Sequence, residues 1–304
     1  MARATPPQRV SPKKTHSDYA LWTHVKEAIL SLPGYFSAPE IRVAGVRATE
    51  VFTLGAALGA TIEDQVVVTL NRMRHVWDAQ DAYPLLTFIR QPQTFPDVKL
   101  RDAASGAIKL GIELKGWYLL SKEGEPSFRY QVTPRVATVW DLLVVVPWFL
   151  SDVISGTPRV LRPHIESARY AAEYRNHWWR NVRDAKGSAT AIRSPKGVGP
   201  YPQKSDHIVD QPVEDDGGNF GRIARIGLID EYVDEMLDEQ ITGIPARYWH
   251  RFLSMFKEGA DPADIARALE RIERLVSGRR PDPTEIRART ILARLLELLR
   301  EGKA

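Results

Sequence analysis

The sequence predicts an α+β chain, a mixed sheet with helices packed against it, on three observations. Apolar residues recur at helical spacing in the first third of the chain, residues 94–120 switch to strict alternation, and the β-branched run 140–146 reads as a central strand buried on both faces. At 304 residues, 43% hydrophobic and 26% charged, the chain has the proportions of one or two globular domains with a sizeable core. It contains no cysteine, which excludes disulfides, thiol catalysis, zinc–cysteine centres and iron–sulfur clusters. The longest apolar run, 142–150, is interrupted by Pro147 and too short to span a bilayer. No signal-like apolar stretch opens the chain, so a cytoplasmic location without membrane contact is expected.

Residues 1–17 carry Arg3, Arg9, Lys13 and Lys14 among three prolines and no acid, the composition of a flexible basic arm. A helix follows, with Leu21, Trp22, Val25, Ala28, Ile29 and Leu32 on one face, until Pro33-Gly34 ends it. A second helical region is expected from about 48 to 77, where Thr61 is a candidate cap for 62–73. Then comes a hairpin: Thr94–Arg101 alternates, Asp102–Gly106 turns, and Ala107–Leu120 alternates again. Strands are also expected at Gln131–Val136 and Trp140–Val146, and Pro163 suits the first turn of a long helix from His164 to about Asp184. This makes a core of 18–185. Residues 186–304 read as a loop followed by a mostly helical region, with short helices at 228–240 and 245–257 and later helix starts at Asp261-Pro262 and Asp282-Pro283.

The hairpin carries the chemistry. Simple pairing about a turn near Ala104 sets Asp97 about opposite Gly111 and diagonal to Glu113, within reach of one divalent cation. Lys115 follows Glu113 on the same face, while Val98, Leu100, Ile112 and Leu114 line the other. Two carboxylates and an ammonium together suit metal-assisted phosphodiester hydrolysis: hard oxygens hold Mg²⁺, and the lysine orients water and stabilises developing charge. A merely solvated strand face with a surface ion pair has the same composition.

Pro96-Asp97, fifteen residues, then Glu113-Leu114-Lys115 resembles the signature of the PD-(D/E)XK nuclease superfamily, which includes many type II restriction endonucleases. The resemblance covers roughly residues 50–150. It implies a restriction-endonuclease-like core with helices on both faces, Asp97 and Glu113 as metal ligands, and Lys115 as the water-orienting residue. The helix before the hairpin resembles the one that supplies a further acid in that family, which makes Glu63 the matching residue. Gln131 is a weaker candidate for lining the site. The activity implied is Mg²⁺-dependent cleavage of double-stranded DNA, with Mn²⁺ able to substitute, by a homodimer that cuts both strands. A repair or recombination nuclease of the same fold and a non-catalytic DNA-binding protein stand beside it.

A basic stretch supplies a candidate DNA surface. Between Arg159 and Lys196 nine basic residues face three acids. On a continuous helix Arg169, Arg180 and Arg183 fall within about 60° of one another, beside a Tyr170, Tyr174, Trp178 stripe that reads as core-facing. Lys186, Arg193 and Lys196 follow on the loop. The glycine-rich segment Asp215–Arg222 places Arg222 at its end. No lysine follows its glycines as a phosphate-binding loop requires, so no nucleotide cofactor is expected. It reads as a tight connector or a DNA-contacting loop.

Overall fold

The structure, a computed structural model, describes residues 4–256 apart from 48, 49, 92, 123, 127 and 216–218, together with Ala263 and Arg267. Both helix starts expected at Asp261 and Asp282 lie outside the described residues. Four helices come first: α1 (Tyr19–Leu30), the single turn α2 (Leu32–Tyr35), α3 (Leu54–Arg72) and the single turn α4 (Arg74–Trp77). Six strands build the sheet: β1 (Leu86–Arg90), β2 (Val98–Asp102), β3 (Ile108–Tyr118), β4 (Leu142–Leu150), β5 (Pro158–Val160) and β6 (His164–Ser167). Then follow α5 (Ala168–His177), α6 (Asp230–Asp238) and α7 (Ala246–Leu253). The fold is α+β, as expected.

The sheet is mixed. β1, β2 and β3 form an antiparallel meander, β3 and β4 run parallel with Glu113 beside Leu143 and Lys115 beside Val145, and β5 and β6 both pair antiparallel with the far edge of β4. β4 is buried along nearly its whole length, as its unbroken apolar run requires. Pro147 is tolerated within it because β5 ends opposite Trp148 and β6 begins opposite Val145, which leaves Pro147 between the two ladders.

Helices cover both faces. On β3, Gly116 lies under Glu63 and Gly59 of α3, while the next residue, Trp117, meets Tyr232 of α6 on the opposite side. The stretch Val51–Arg72 is long and apolar enough to cross a membrane by composition alone; here it buries Leu54, Ile62, Val66 and Leu70 against the sheet.

Several expectations are corrected. Thr61 caps nothing: it is exposed within a continuous α3. Gln131–Val136 makes only a single bridge, Val132 to Val209, before Pro134 starts a 3₁₀ turn, since proline has no amide to extend a ladder. The long helix after Pro163 begins four residues late. His164–Ser167 is instead a strand, because β4 has an open edge there, and the Ser167 hydroxyl then caps α5 by accepting from the Tyr170 amide at 3.2 Å. The basic arm is docked: Arg9 pairs with Glu166 at 2.9 Å and lies over Tyr170, and His16 stacks on Trp140. β1 was not foreseen.

Candidate active site

The hairpin register differs from simple pairing. Val98 faces Ile112 and Lys99 faces Gly111, with a bulge between Leu100 and Arg101. Continued one residue, that register sets Asp97 directly across from Glu113 rather than diagonal to it. The bulge accounts for one residue of this two-residue shift, since the extra residue on β3 advances the pairing beyond it, and the turn, which sets Arg101 opposite Ile108, accounts for the other.

β2 begins at Val98, opposite Ile112, so the β3 amides beyond Ile112 on that side need other acceptors. Two carboxylates provide them. The Leu114 N–H donates to Asp97 Oδ2 at 2.9 Å, and the Gly116 N–H donates to Glu63 Oε1 at 3.1 Å. An acid from β2's leading edge and an acid from α3 are thereby fixed along one strand edge, on either side of Lys115. A Cβ at position 116 would meet the Glu63 side chain at 3.7 Å, an ordinary van der Waals contact, so α3 packs over this strand without requiring the glycine.

Lys115 sits within this group. Its Nζ lies 2.7 Å from Glu113 Oε1 and 3.5 Å from Asp97 Oδ2. The side chains retain 18% exposure at Lys115, 27% at Asp97 and 8% at Glu113, so the group is partly withdrawn from water yet reachable. Burial pushes the Glu113 carboxyl up to about 7, with the Asp97 and Glu63 charges adding to the effect, although Lys115 opposes it. Burial also raises Glu63, against the Gly116 hydrogen bond. The two acids hold the Lys115 ammonium well above its usual value, against its own desolvation.

The structure brings together the four residues that the sequence singled out: Glu63, Asp97, Glu113 and Lys115. Sequence reasoning missed their supports. Arg90 of β1 donates to Glu63 Oε2 at 3.1 Å and to the Ala60 carbonyl at 2.8 Å, fixing the carboxylate's second oxygen. Asp141, fully buried, accepts from the Gly111 amide at 2.6 Å, the Thr138 amide at 2.6 Å and the Tyr201 hydroxyl at 2.9 Å, and so anchors the start of β3 to that of β4. Burial raises its pKa. A Cβ on Gly111 would collide with the Pro96 ring and crowd Asp141, so the glycine in the alternating run was the available signal of close approach. Gln131 is turned elsewhere, donating to the Phe220 carbonyl at 3.3 Å.

Among the described residues no three His, Asp or Glu side chains form a ready-made metal cluster. Mg²⁺ does not require one. It is commonly held by one or two carboxylates and completed by water and substrate phosphate oxygens. Asp97 and Glu113 supply those hard oxygens and already converge on one cationic group, so the donor set fits.

The basic stretch divides into parts. Arg175 is completely buried and structural, paired with Asp210 at 2.6 Å. Arg169 is engaged with Glu173 at 2.9 Å, and Arg183 lies 3.4 Å over the Trp179 ring and donates to the Ala189 carbonyl. The expected arginine ridge does not form on one helical face, because α5 ends at His177 and Trp178–Val182 winds as a π-helical turn. Arg180, Lys186, Arg193 and Lys196 are exposed, and Arg222 is half-buried after Gly221. Tyr170, Tyr174 and Trp178 pack toward the core, as their spacing implied. Gly221 is in the left-handed region (φ 86°), and its carbonyl accepts from the Tyr130 amide at 2.7 Å, as befits a tight connector.

No family model, curated protein or solved structure matches the chain.

Proposed function

We propose that the protein is a Mg²⁺-dependent endonuclease of the PD-(D/E)XK type, hydrolysing double-stranded DNA as a type II restriction enzyme. The observation that carries this reading is the position of Lys115 Nζ between Glu113 and Asp97, with Glu63 fixed on the same strand edge. Asp97 and Glu113 would hold the metal, with Mn²⁺ able to replace Mg²⁺. When bound, the ion neutralises the scissile phosphate and lowers the pKa of water. Lys115 would orient the attacking water and stabilise charge developing on the phosphate. Arg90 and the Gly116 amide keep Glu63 aimed at the group. Cleavage of both strands calls for two such sites, hence a homodimer, in the cytoplasm with the DNA.

A second reading rests on the same bridge. Lys115 already neutralises much of the carboxylate charge, as suits a DNA-binding protein that needs no metal. Incubation of the protein with plasmid and phage DNA of several methylation states, with and without Mg²⁺, separates the two. Discrete fragments from wild type, lost in Glu113→Ala and Lys115→Ala, support the restriction enzyme, and a smear favours a repair-type nuclease. Binding without cleavage in every metal condition favours the non-catalytic protein.

A further inference from the structure

β2 carries two more cations on the face that holds Asp97. Val98 and Leu100 are buried, so by alternation Lys99 and Arg101 turn to the other side of β2, where Lys99 is half-buried and Arg101 exposed. Lys99 and Arg101 lie two and four residues from Asp97, about 6.6 and 13 Å along the strand. The register shifts between Leu100 and Arg101, with the extra residue, Lys109, on β3.

Neither cation has an acid partner among the described residues. Lys99 Nζ bonds the neutral Gln91 side-chain carbonyl, and Arg101 Nε donates to the Gly106 carbonyl at 3.2 Å. The contrast with neighbouring cations is plain. Lys109 is paired with Asp18 at 3.1 Å, Arg90 with Glu63 and Lys115 with Glu113. Like charges side by side on a strand cost stability, and an anion supplied from outside removes that cost. Gly111, directly across from Lys99, sets no side chain of its own beside it.

We propose that Lys99 and Arg101 form a ledge that holds successive phosphates of the DNA strand on one side of the scissile one. The inference rests on the nuclease reading, since it takes the phosphate at Asp97 and Glu113 as its origin. Its ligand is the sugar–phosphate backbone, so it adds affinity and register without reading bases.

The experiment is the salt dependence of binding of a fluorescent DNA duplex in EDTA, for wild type, Lys99→Gln, Arg101→Gln and the double variant. Each phosphate that is no longer neutralised lowers the slope of log K against log salt by about 0.9, so a drop near that size in each single variant, and about twice as much in the double, is expected. Cleavage by the double variant should show a raised KM with kcat retained. An unchanged slope overturns the ledge while leaving the nuclease standing, because loss of cleavage in Glu113→Ala is read independently. An equal drop in Lys122→Gln, an exposed lysine beyond β3, marks a general charge effect and also overturns it. No duplex binding by wild type overturns it as well. Reduced slopes in a protein that never cleaves leave Lys99 and Arg101 as phosphate contacts but overturn the ledge together with the nuclease reading it rests on.

Discussion

Arg175 and Lys115 are both cations drawn out of water beside carboxylates, yet their surroundings differ in kind. Arg175 is 1% exposed and its guanidinium is fully engaged: Asp210 at 2.6 Å, Asn176, and the carbonyls of Tyr130 at 2.7 Å and Val132 at 3.0 Å. One cation meets one anion, and the group ties α5 to the segments around 131 and 210. Burial lowers its pKa to about 10, with Asp210 opposing the shift. Lys115 instead serves two acids, Glu113 and Asp97, and the third, Glu63, is taken by Arg90. That group is one positive charge short; burial holds the Glu113 carboxyl at about 7, and the unbalanced Asp97 and Glu63 charges add to the rise. A balanced buried pair fastens a fold, whereas an acid-rich one costs stability and is set to accept a cation.

The largest expected effect falls on cleavage. Lys115→Ala should lower kcat on the order of 10²–10⁴-fold with little change in DNA affinity measured in EDTA. A variant that keeps near-wild-type kcat would erase the functional half of the comparison.

Asp210→Ala should cost about 3–5 kcal/mol of stability by leaving the Arg175 charge buried alone, read as a drop in denaturant midpoint. The joint replacement Arg175→Met with Asp210→Leu should recover much of that loss. If the double variant is as unstable as the single one, the pair is not balanced in the sense drawn here.

The pH dependence separates the two groups further. Because the folded Glu113 pKa lies above its unfolded value near 4.5, the folded state binds that proton more tightly, and this group's contribution to stability falls as pH rises from about 4.5 to 7. Mg²⁺ competes with the same proton. Thermal stabilisation by Mg²⁺ should therefore be larger at pH 8 than at pH 6 and absent in Glu113→Ala. Equal stabilisation at both pH values would detach the ion from Glu113. The smallest effect is expected at the support: Arg90→Met should lower cleavage about tenfold or less, acting through Glu63, while Arg90→Lys restores part of it.

The hairpin and three of its site residues were legible because one face is buried: Val98, Leu100, Ile112 and Leu114 fix which residues point out. Glu63 was legible only through the resemblance. The register was not, since nothing local announces the bulge at Leu100–Arg101. Arg90 stayed hidden because its strand, Leu86–Arg90, shows only a brief Thr-Phe-Ile alternation, and because its partner Glu63 lies 27 residues away. Asp141 and Tyr201, 60 residues apart, meet only through the fold. At Pro163 two local signals competed, a proline suited to a helix start and Ser167 suited to a cap. The open edge of β4, a non-local fact, chose the second.

The carboxylates of Asp97 and Glu63 also do something unrelated to chemistry. With both in place, the β3 edge beyond the β2 ladder has no free donor at Leu114 or Gly116. A variant lacking both acids would present two unclaimed amides on a sticky β flank, the template on which chains associate and fibrils begin. The two side chains proposed to serve the reaction thus also close this strand edge.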